Sequence, residues 1–213
     1  MLLPAHREGT TFVCLKRSVL SAIVCAMRWL IASDIHGSAF YCNKLIERFY
    51  TEGADRILLL GDILYHGPRN ELPREYEPKR VAAALNDVCD KIACVRGNCD
   101  SEVDQMMLDF PIMAEYAILD IGKVLIFATH GHVFGEQNPP KFAKNSLLLC
   151  GHFHVPVVRK HEDYLYINAG SVSLPKDGSW HSYIVFDGER FSWKDLNAPA
   201  DVENLSLDLR LDF

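Results

Sequence analysis

The chain has 213 residues, 49% of them hydrophobic, and a formal net charge of −6 at pH 7. This size and composition suit one domain with a sizeable core, or one domain with a tail. The acidic balance and the lack of a basic run argue against binding along extended nucleic acid, because that requires clustered lysine and arginine. A small anionic substrate remains compatible, since bound metal ions would supply local positive charge.

The cysteines and the N-terminal segment indicate where the protein works. Seven cysteines, an odd number without framework spacing, indicate reduced thiols in the cytoplasm. An apolar run at residues 19–27 lacks a cleavage site before the first strand and is too short to span a bilayer, so we expect no membrane partner. We predict a poorly ordered extension over residues 1–26 and a single domain over residues 27–213, with a C-terminal tail from about residue 196.

The first half of the chain alternates strand and helix patterns. Apolar runs predict strands at 29–33, 56–60 and 92–95. Capping signals predict helices from Ser38 to about Glu52, from Pro78 to about Lys91, and over 102–108. This order predicts parallel strands joined by right-handed crossovers.

The second half is mostly strand-like. Residues 114–119 and 123–128 read as a hairpin, and further strands are predicted at 147–150, 155–160, 164–168, 182–186 and 190–194. These segments favour a second sheet that is mixed or antiparallel. Two sheets packed face to face with helices outside would bury the apolar strands.

Residues of metal-binding types follow most of the predicted strands, at the points where those strands end. They are Asp34, His36, Asp62, Asn98, His130, His152 and His154. In an extended segment Asp34 and His36 point the same way and can reach one ion. The carboxylate of Asp62 has two oxygens and could bridge two ions. Each group alone also fits a turn residue or a surface histidine, but the combination on one rim favours a metal site.

The motif order Asp-x-His, Gly-Asp, Gly-Asn-Cys-Asp, His-Gly-His and Gly-His-x-His resembles the calcineurin-like metallophosphoesterase superfamily. Residues 61–70, 95–104 and 168–176 resemble its small bacterial branch, the YfcE-type phosphodiesterases. The likeness covers about residues 27 to 195. It implies a four-layer α/β/β/α sandwich with two mixed β-sheets and a dinuclear site at the strand ends.

The resemblance also implies a cofactor and a reaction. The cofactor is two divalent metal ions, with Mn²⁺ favoured and Fe or Zn²⁺ as alternatives. The first ion would be held by Asp34, His36 and His154, the second by Asn98, His130 and His152, with Asp62 as the bridge. A hydroxide shared by the two ions would attack a small phosphodiester in line. The alternatives are a phosphomonoesterase and a non-catalytic protein-binding scaffold, such as the retromer subunit of similar fold. The family also suggests self-association into a homo-oligomer.

Six further residues of these motifs are candidates for the chemistry. Cys99, Asp100 and His132 are candidate catalytic residues, and His66, Arg69 and Asn70 are candidate substrate contacts. Many superfamily members have histidine in place of Cys99, and a neutral thiol carries no positive charge and is a poorer proton donor. His132 and His66 are alternative donors. Each of these six residues also has a structural interpretation, namely packing, helix capping or exposure in a loop.

Overall fold

The computed structural model describes residues 27–121, 124–141 and 144–209. Within these ranges two β-sheets pack face to face, and three α-helices accompany them. The extension predicted over residues 1–26 lies outside the described residues. No helix in the described ranges has the length and apolarity needed to cross a membrane.

All three helices follow their sequence signals at their starts, and two of them depart from the prediction at their ends. They are α1 (Ala39–Thr51), α2 (Pro78–Asn86) and α3 (Glu102–Gln105). The Ser38 side chain accepts a hydrogen bond from the Tyr41 backbone N–H, which confirms the predicted cap of α1.

Two predicted helix ends are wrong, and local packing explains both. Helix α2 stops before Lys91 because Val88 leaves the helical conformation and packs into the core, and a 3₁₀ turn (Cys89–Lys91) follows. Helix α3 stops before Leu108 because the amide of Gln105 donates to the Leu108 and Phe110 carbonyls. These side-chain hydrogen bonds turn the backbone after Gln105 out of the helical conformation.

The larger sheet has six strands. They are β1 (Trp29–Ala32), β2 (Arg56–Leu59), β3 (Ile92–Cys94), β9 (Ser182–Phe186), β10 (Arg190–Asp195) and β11 (Leu205–Asp208), in the order β11-β10-β9-β1-β2-β3. Strands β1, β2 and β3 are parallel, as predicted. Strand β11 lies in the segment predicted as a tail. Its Leu207 is buried and pairs with Phe191, so part of that segment belongs to the sheet.

The smaller sheet has five strands. They are β4 (Tyr116–Asp120), β5 (Leu125–Thr129), β6 (Ser146–Cys150), β7 (Val157–Lys160) and β8 (Tyr164–Asn168), in the order β4-β5-β6-β8-β7. Strands β5, β6 and β8 are parallel, and the two outer strands are antiparallel to their neighbours. The predicted hairpin and a mixed second sheet are therefore confirmed. The strands predicted at 182–186 and 190–194 do not belong to this sheet, because β9 pairs with β1 and β10 pairs with β9 in the larger one.

The main core lies between the sheets, where residues such as Ile31, Leu58, Leu147 and Ile167 are buried. A second core packs α1 and α2 against the outer face of the six-stranded sheet. On the outer face of the five-stranded sheet, Phe127 and Tyr166 are buried beneath partly covered residues that include Phe134. Parallel strands of both sheets end on the same rim, and that rim carries the candidate ligands.

Candidate metal centre

The loops that follow the strands approach closely because they contain glycine. A Cβ on Gly61 would lie 2.3 Å from the Gly97 backbone nitrogen, and a Cβ on Gly151 would lie 1.9 Å from Oγ of Ser33. The first contact joins the loops after β2 and β3. The second joins the two sheets. These approaches bring residues from five strand ends into one cluster.

Asp34, His36 and His154 form one group of buried side chains. Nε2 of His154 lies 3.1 Å from Oδ1 of Asp34, and Nε2 of His36 lies 3.4 Å from the same oxygen. The two Nε2 atoms are 3.3 Å apart. The predicted ligands of the first ion are therefore adjacent.

Asp62 lies between this group and a second one. Its Oδ2 is 3.6 Å from Nε2 of His36 and 3.4 Å from Nε2 of His130. Nε2 of His130 is in turn 3.0 Å from Oδ1 of Asn98, and the His130 and His152 ring centroids are 5.0 Å apart. One oxygen of the Asp62 carboxylate therefore lies within 3.6 Å of a histidine of each group.

Three of the histidines are oriented by backbone carbonyls. Nδ1 of His130 is 2.6 Å from the Leu60 oxygen. Nδ1 of His36 is 2.8 Å from the Tyr65 oxygen, and Nδ1 of His154 is 2.6 Å from the Leu174 oxygen. A carbonyl only accepts, so each Nδ1 carries the proton and each Nε2 faces the cluster. Metal-binding histidines are held in this way.

The donor atoms fit a cation. With Nδ1 protonated, a neutral imidazole presents a lone pair at Nε2, so His36 and His154 turn two lone pairs toward each other. Asp34 Oδ1 is buried and has no hydrogen-bond partner among the described residues. Buried polar atoms are normally paired, and a metal ion between these atoms would satisfy them together.

The pKa shifts of the clustered residues also indicate a cation site. Burial works against ionisation of Asp34, yet the charge of His130 and the imidazoles of His154 and His36 hold its pKa well below the usual range. The pKa of His130 rises to about 9 against burial, because Asp34 and Asp62 lie beside it. Burial and the neighbouring His130 lower the pKa of His152 to about 4. The carboxylates of Asp34 and Asp62 therefore favour a positive charge beside them. A metal cation would supply that charge in place of protons on the imidazoles.

The ligand loops do not have the extended backbone that was predicted for Asp34 and His36. Five ligand residues have positive φ, namely Asp34 (60°), His36 (49°), Asp62 (56°), His152 (68°) and His154 (62°). Asp and His tolerate this left-handed region better than most residues. Tight left-handed turns therefore aim these side chains, and such strain is typical of functional sites.

A family model for the calcineurin-like phosphoesterase superfamily domain matches residues 27–190. The chain belongs to this superfamily. The curated relatives include phosphodiesterase YfcE from Escherichia coli strain K12, which is 43% identical over 182 residues, or 85% of this chain and 99% of the relative. The prediction of a metallophosphoesterase is confirmed at the level of the family.

Solved structures agree with this assignment. A structure of YfcE, a phosphoesterase from E. coli, matches with a TM-score of 0.82 and 43% identity, covering 86% of this chain and all of that one (100%). Vps29 from Entamoeba histolytica, solved with zinc, matches with a TM-score of 0.53 and 16% identity, covering 86% and 99% of the two chains. The Vps29 match shows a shared fold alone. The predicted sandwich of two mixed sheets is confirmed.

Asp100 holds two loops of the metallophosphoesterase rim together. Its carboxylate accepts hydrogen bonds from the backbone N–H groups of Asp62 (2.8 Å), Ile63 (2.9 Å) and Gly97 (2.7 Å). Burial and the nearby Asp62 charge raise its pKa, while the three donors oppose that rise. Helix α3 is capped by Ser101 instead. Asp100 therefore positions Asp62 and does not cap the helix.

A cavity of about 430 Å³ opens beside the ligands. Its walls include Asp62, Asn98, His152 and His154 together with Arg69, Asn70 and Cys99. Burial raises the pKa of the Cys99 thiol, and the Asp62 charge adds to that rise. Three of the six further candidates therefore line this cavity.

Two predicted candidates lie elsewhere. His66 is partly buried, contacts Tyr65 and Tyr76 edge-on, and does not line the cavity. His132 is exposed, with its ring centroid 5.4 Å from that of His130 and 6.2 Å from that of His152. It is near the centre but also outside the cavity wall.

Four residues of the cavity wall were not among the predicted site residues, and two of them, Phe153 and Lys176, have side chains suited to binding a substrate. Phe153 is 47% exposed although it sits between two ligands, and Lys176 ends the motif over residues 168–176. Neither is a metal-ligand type, so the ligand pattern gave no reason to select them. An aromatic residue placed between two metal-binding histidines is the signal that could have identified Phe153.

Proposed function

We propose that this protein is a dinuclear metal-dependent phosphodiesterase that hydrolyses small phosphodiesters. Water attacks phosphorus, the bond to one ester oxygen breaks, and the products are a phosphomonoester and an alcohol. The observation that carries the proposal is the convergence of imidazole lone pairs and carboxylates, with Asp62 between two ligand groups. The relationship to phosphodiesterase YfcE supports it.

The residues divide between the two proposed ions as their positions suggest. Asp34, His36 and His154 would hold one ion, Asn98, His130 and His152 the other, and Asp62 would bridge. Nitrogen and oxygen donors without thiolate suit Mn²⁺, Fe and Zn²⁺, and we propose Mn²⁺ as the working metal. Bound ions of this kind acidify water and neutralise charge on phosphoryl oxygens.

The protein contributes orientation and substrate binding. The carbonyls of Leu60, Tyr65 and Leu174 hold three imidazoles in place before any substrate arrives, so no reorganisation is needed during the reaction. Arg69 and Lys176 line the cavity, and neither has an ion-pair partner in the described part of the chain. Both cations are therefore available to an anionic phosphodiester.

Cys99 faces the cavity in the position where many superfamily members have histidine. Its Sγ accepts a hydrogen bond from the Asn98 amide (3.2 Å), and Cys99 N–H donates to Asp62 (2.8 Å). The backbone of Cys99 thus helps to orient the bridge, whereas its thiol brings no positive charge to the leaving oxygen. We propose that diesters with good leaving groups are the better substrates.

The free thiols support a proposal for the cellular location. Cys42, Cys89, Cys94, Cys99 and Cys150 are free cysteines in the described ranges. Thiols in this number are typical of a reducing compartment. We propose that the protein works in the cytoplasm.

The proposal is tested with metal-free protein reloaded with Mn²⁺, Fe²⁺ or Zn²⁺. Metal content is measured alongside hydrolysis of bis(p-nitrophenyl) phosphate and of p-nitrophenyl phosphate. We expect two ions per chain and turnover of the diester. Faster turnover of the monoester would favour a phosphomonoesterase, and fully loaded protein that hydrolyses neither ester would indicate a scaffold.

A further inference from the structure

A second cavity, of about 250 Å³, adjoins the one beside the metal ligands. The two cavities share one residue, Phe153, which lines both. Lys176 lines the first cavity and its neighbour Asp177 lines the second. Phe153 and this turn therefore form a common wall, with the ligand cluster on one side and the second cavity on the other.

The common wall is held by the ligand loop itself. The backbone N–H of Lys176 donates to the His154 carbonyl (3.2 Å), and Oγ of Ser179 donates to the same oxygen (3.2 Å). Ser179 N–H closes the turn onto the Lys176 carbonyl (2.9 Å). The position of Asp177 relative to the ligand loop is thus fixed by hydrogen bonds.

The second cavity is amphipathic. Phe153, Val155, Val157 and Tyr166 supply apolar and aromatic surface. Glu136 and Arg159, which also line it, form an ion pair with each other and so offer little free charge. Hydrogen bonds from His161 and Tyr164 hold Glu136 in place.

Two polar side chains of the second cavity remain available to a ligand. Gln137 offers both a donor and an acceptor, and Asp177 offers an acceptor without an ion-pair partner among the described residues. Both side chains line the same cavity as the exposed phenyl ring of Phe153. This arrangement suits a planar ring with polar atoms along its edge, since aromatic side chains stack on nucleobases.

We propose that the second cavity binds the nucleobase of a nucleoside-substituted phosphodiester, with Phe153 as the stacking platform and Gln137 and Asp177 at the base edge. This inference rests on the proposed function, because it places the phosphoryl group at the metal centre next to Arg69 and Lys176. It makes Phe153 a specificity-determining residue.

Other substituents fit this cavity less well. An acyl chain would leave Gln137, Asp177 and the Glu136–Arg159 pair desolvated without partners, which is costly. A second phosphate group would meet the free carboxylate of Asp177. A nucleobase uses the aromatic surface and the polar atoms together.

Binding tests the inference without requiring turnover. Calorimetry on the Mn²⁺-loaded protein compares thymidine 5′-monophosphate with methyl phosphate, which has the same phosphoryl group without the nucleoside. We expect the nucleotide to bind about tenfold more tightly or better, as one stacked base provides. Equal affinities would overturn the proposal.

Two variants test whether the second cavity causes the difference in affinity between the nucleotide and methyl phosphate. Val157→Trp fills the second cavity, and Phe153→Leu keeps an apolar side chain while removing the planar ring. Each should bring nucleotide affinity close to that of methyl phosphate. The control Val202→Trp places the same ring on an exposed surface position and should retain the preference. A preference that survives both cavity variants would overturn the proposal.

Failure of the nucleobase site can be distinguished from failure of the proposed hydrolysis. Wild-type protein that binds the nucleotide selectively but hydrolyses no ester would contradict the proposed function and support the subsite. Protein that hydrolyses bis(p-nitrophenyl) phosphate without selective nucleotide binding would support the function and overturn the subsite.

Discussion

The ligand cluster and the cavity wall beside it are built in different ways. Most of the cluster is buried, and side chains in it are fixed by backbone carbonyls and amides, as for His130 and Asp100. Of the candidate ligands, Asn98 is exposed and His152 is half-buried. The wall side chains Arg69, Phe153 and Lys176 are exposed. We infer that the cluster performs chemistry common to the superfamily and that the wall selects the substrate, since pre-organisation serves the first role and adaptable contacts serve the second.

The bridge gives the largest expected effect. Asp62→Asn keeps the shape of the side chain but removes the negative charge between the two ligand groups. We expect hydrolysis of bis(p-nitrophenyl) phosphate to fall by about 10³-fold, because both proposed ions lose a shared ligand. Circular dichroism should show an intact fold. Asp201→Asn, at an exposed position, is the matched control, and unchanged turnover in Asp62→Asn would refute the bridge.

Asp100 should give the next largest effect. In Asp100→Asn one acceptor oxygen is replaced by an NH₂ group that faces backbone donors, which shifts the Asp62 loop. We expect a loss of about 10- to 100-fold in activity, together with a higher Mn²⁺ concentration for half-maximal activation.

Asp104 provides a control for this prediction, since it belongs to the capping box of α3. Asp104→Asn should lower the melting temperature without changing the Mn²⁺ requirement. If Asp100→Asn behaves in the same way, its role is structural and the positioning argument fails.

Substitution of the two cations in the cavity wall should have a smaller effect, and that effect should be on KM. Arg69→Ala and Lys176→Ala should each raise KM for a diester by about 3- to 10-fold, because charge-assisted contacts to phosphate are lost while the metal ligands stay in place. Lys79→Ala removes an exposed cation outside the cavity and serves as control. A fall in kcat with constant KM would show that these cations act in the chemical step instead.

Cys99→His should give the smallest effect. An imidazole can carry a positive charge and donate a proton, so we expect turnover of esters with poor leaving groups to rise by about 2- to 10-fold. Esters with good leaving groups should change little. Identical kinetics across a series of leaving groups would indicate that Cys99 only packs beside the site.

The contrast between cluster and wall also explains what the sequence could predict. Asp34, His130 and the other ligands are chemically distinctive and follow apolar strands, so their types and positions pointed to one rim. Lys176 is an ordinary exposed residue until the fold brings it into the same cavity wall as Arg69, and no local pattern carries that information. The cavity wall therefore became visible only in three dimensions.

The fold shows the same division. Helix α1 was predicted to its ends because Ser38 and Gly53 are local signals. Strand β11 was missed because only two of its four residues, Leu205 and Leu207, are apolar, and it is an edge strand that pairs with β10 alone. The end of α2 depends on the tertiary packing of Val88. The end of α3 depends on local side-chain hydrogen bonds of Gln105, which helix propensity does not include.

The measurement that tests the central claim most directly is a crystal structure of the Mn²⁺-loaded protein with anomalous scattering. We predict two Mn²⁺ ions about 3.5–4 Å apart, with Asp62 between them and Nε2 of His36, His130 and His154 as ligands. A single ion remote from Asp62, or imidazoles turned away from the cluster in saturating Mn²⁺, would contradict the account.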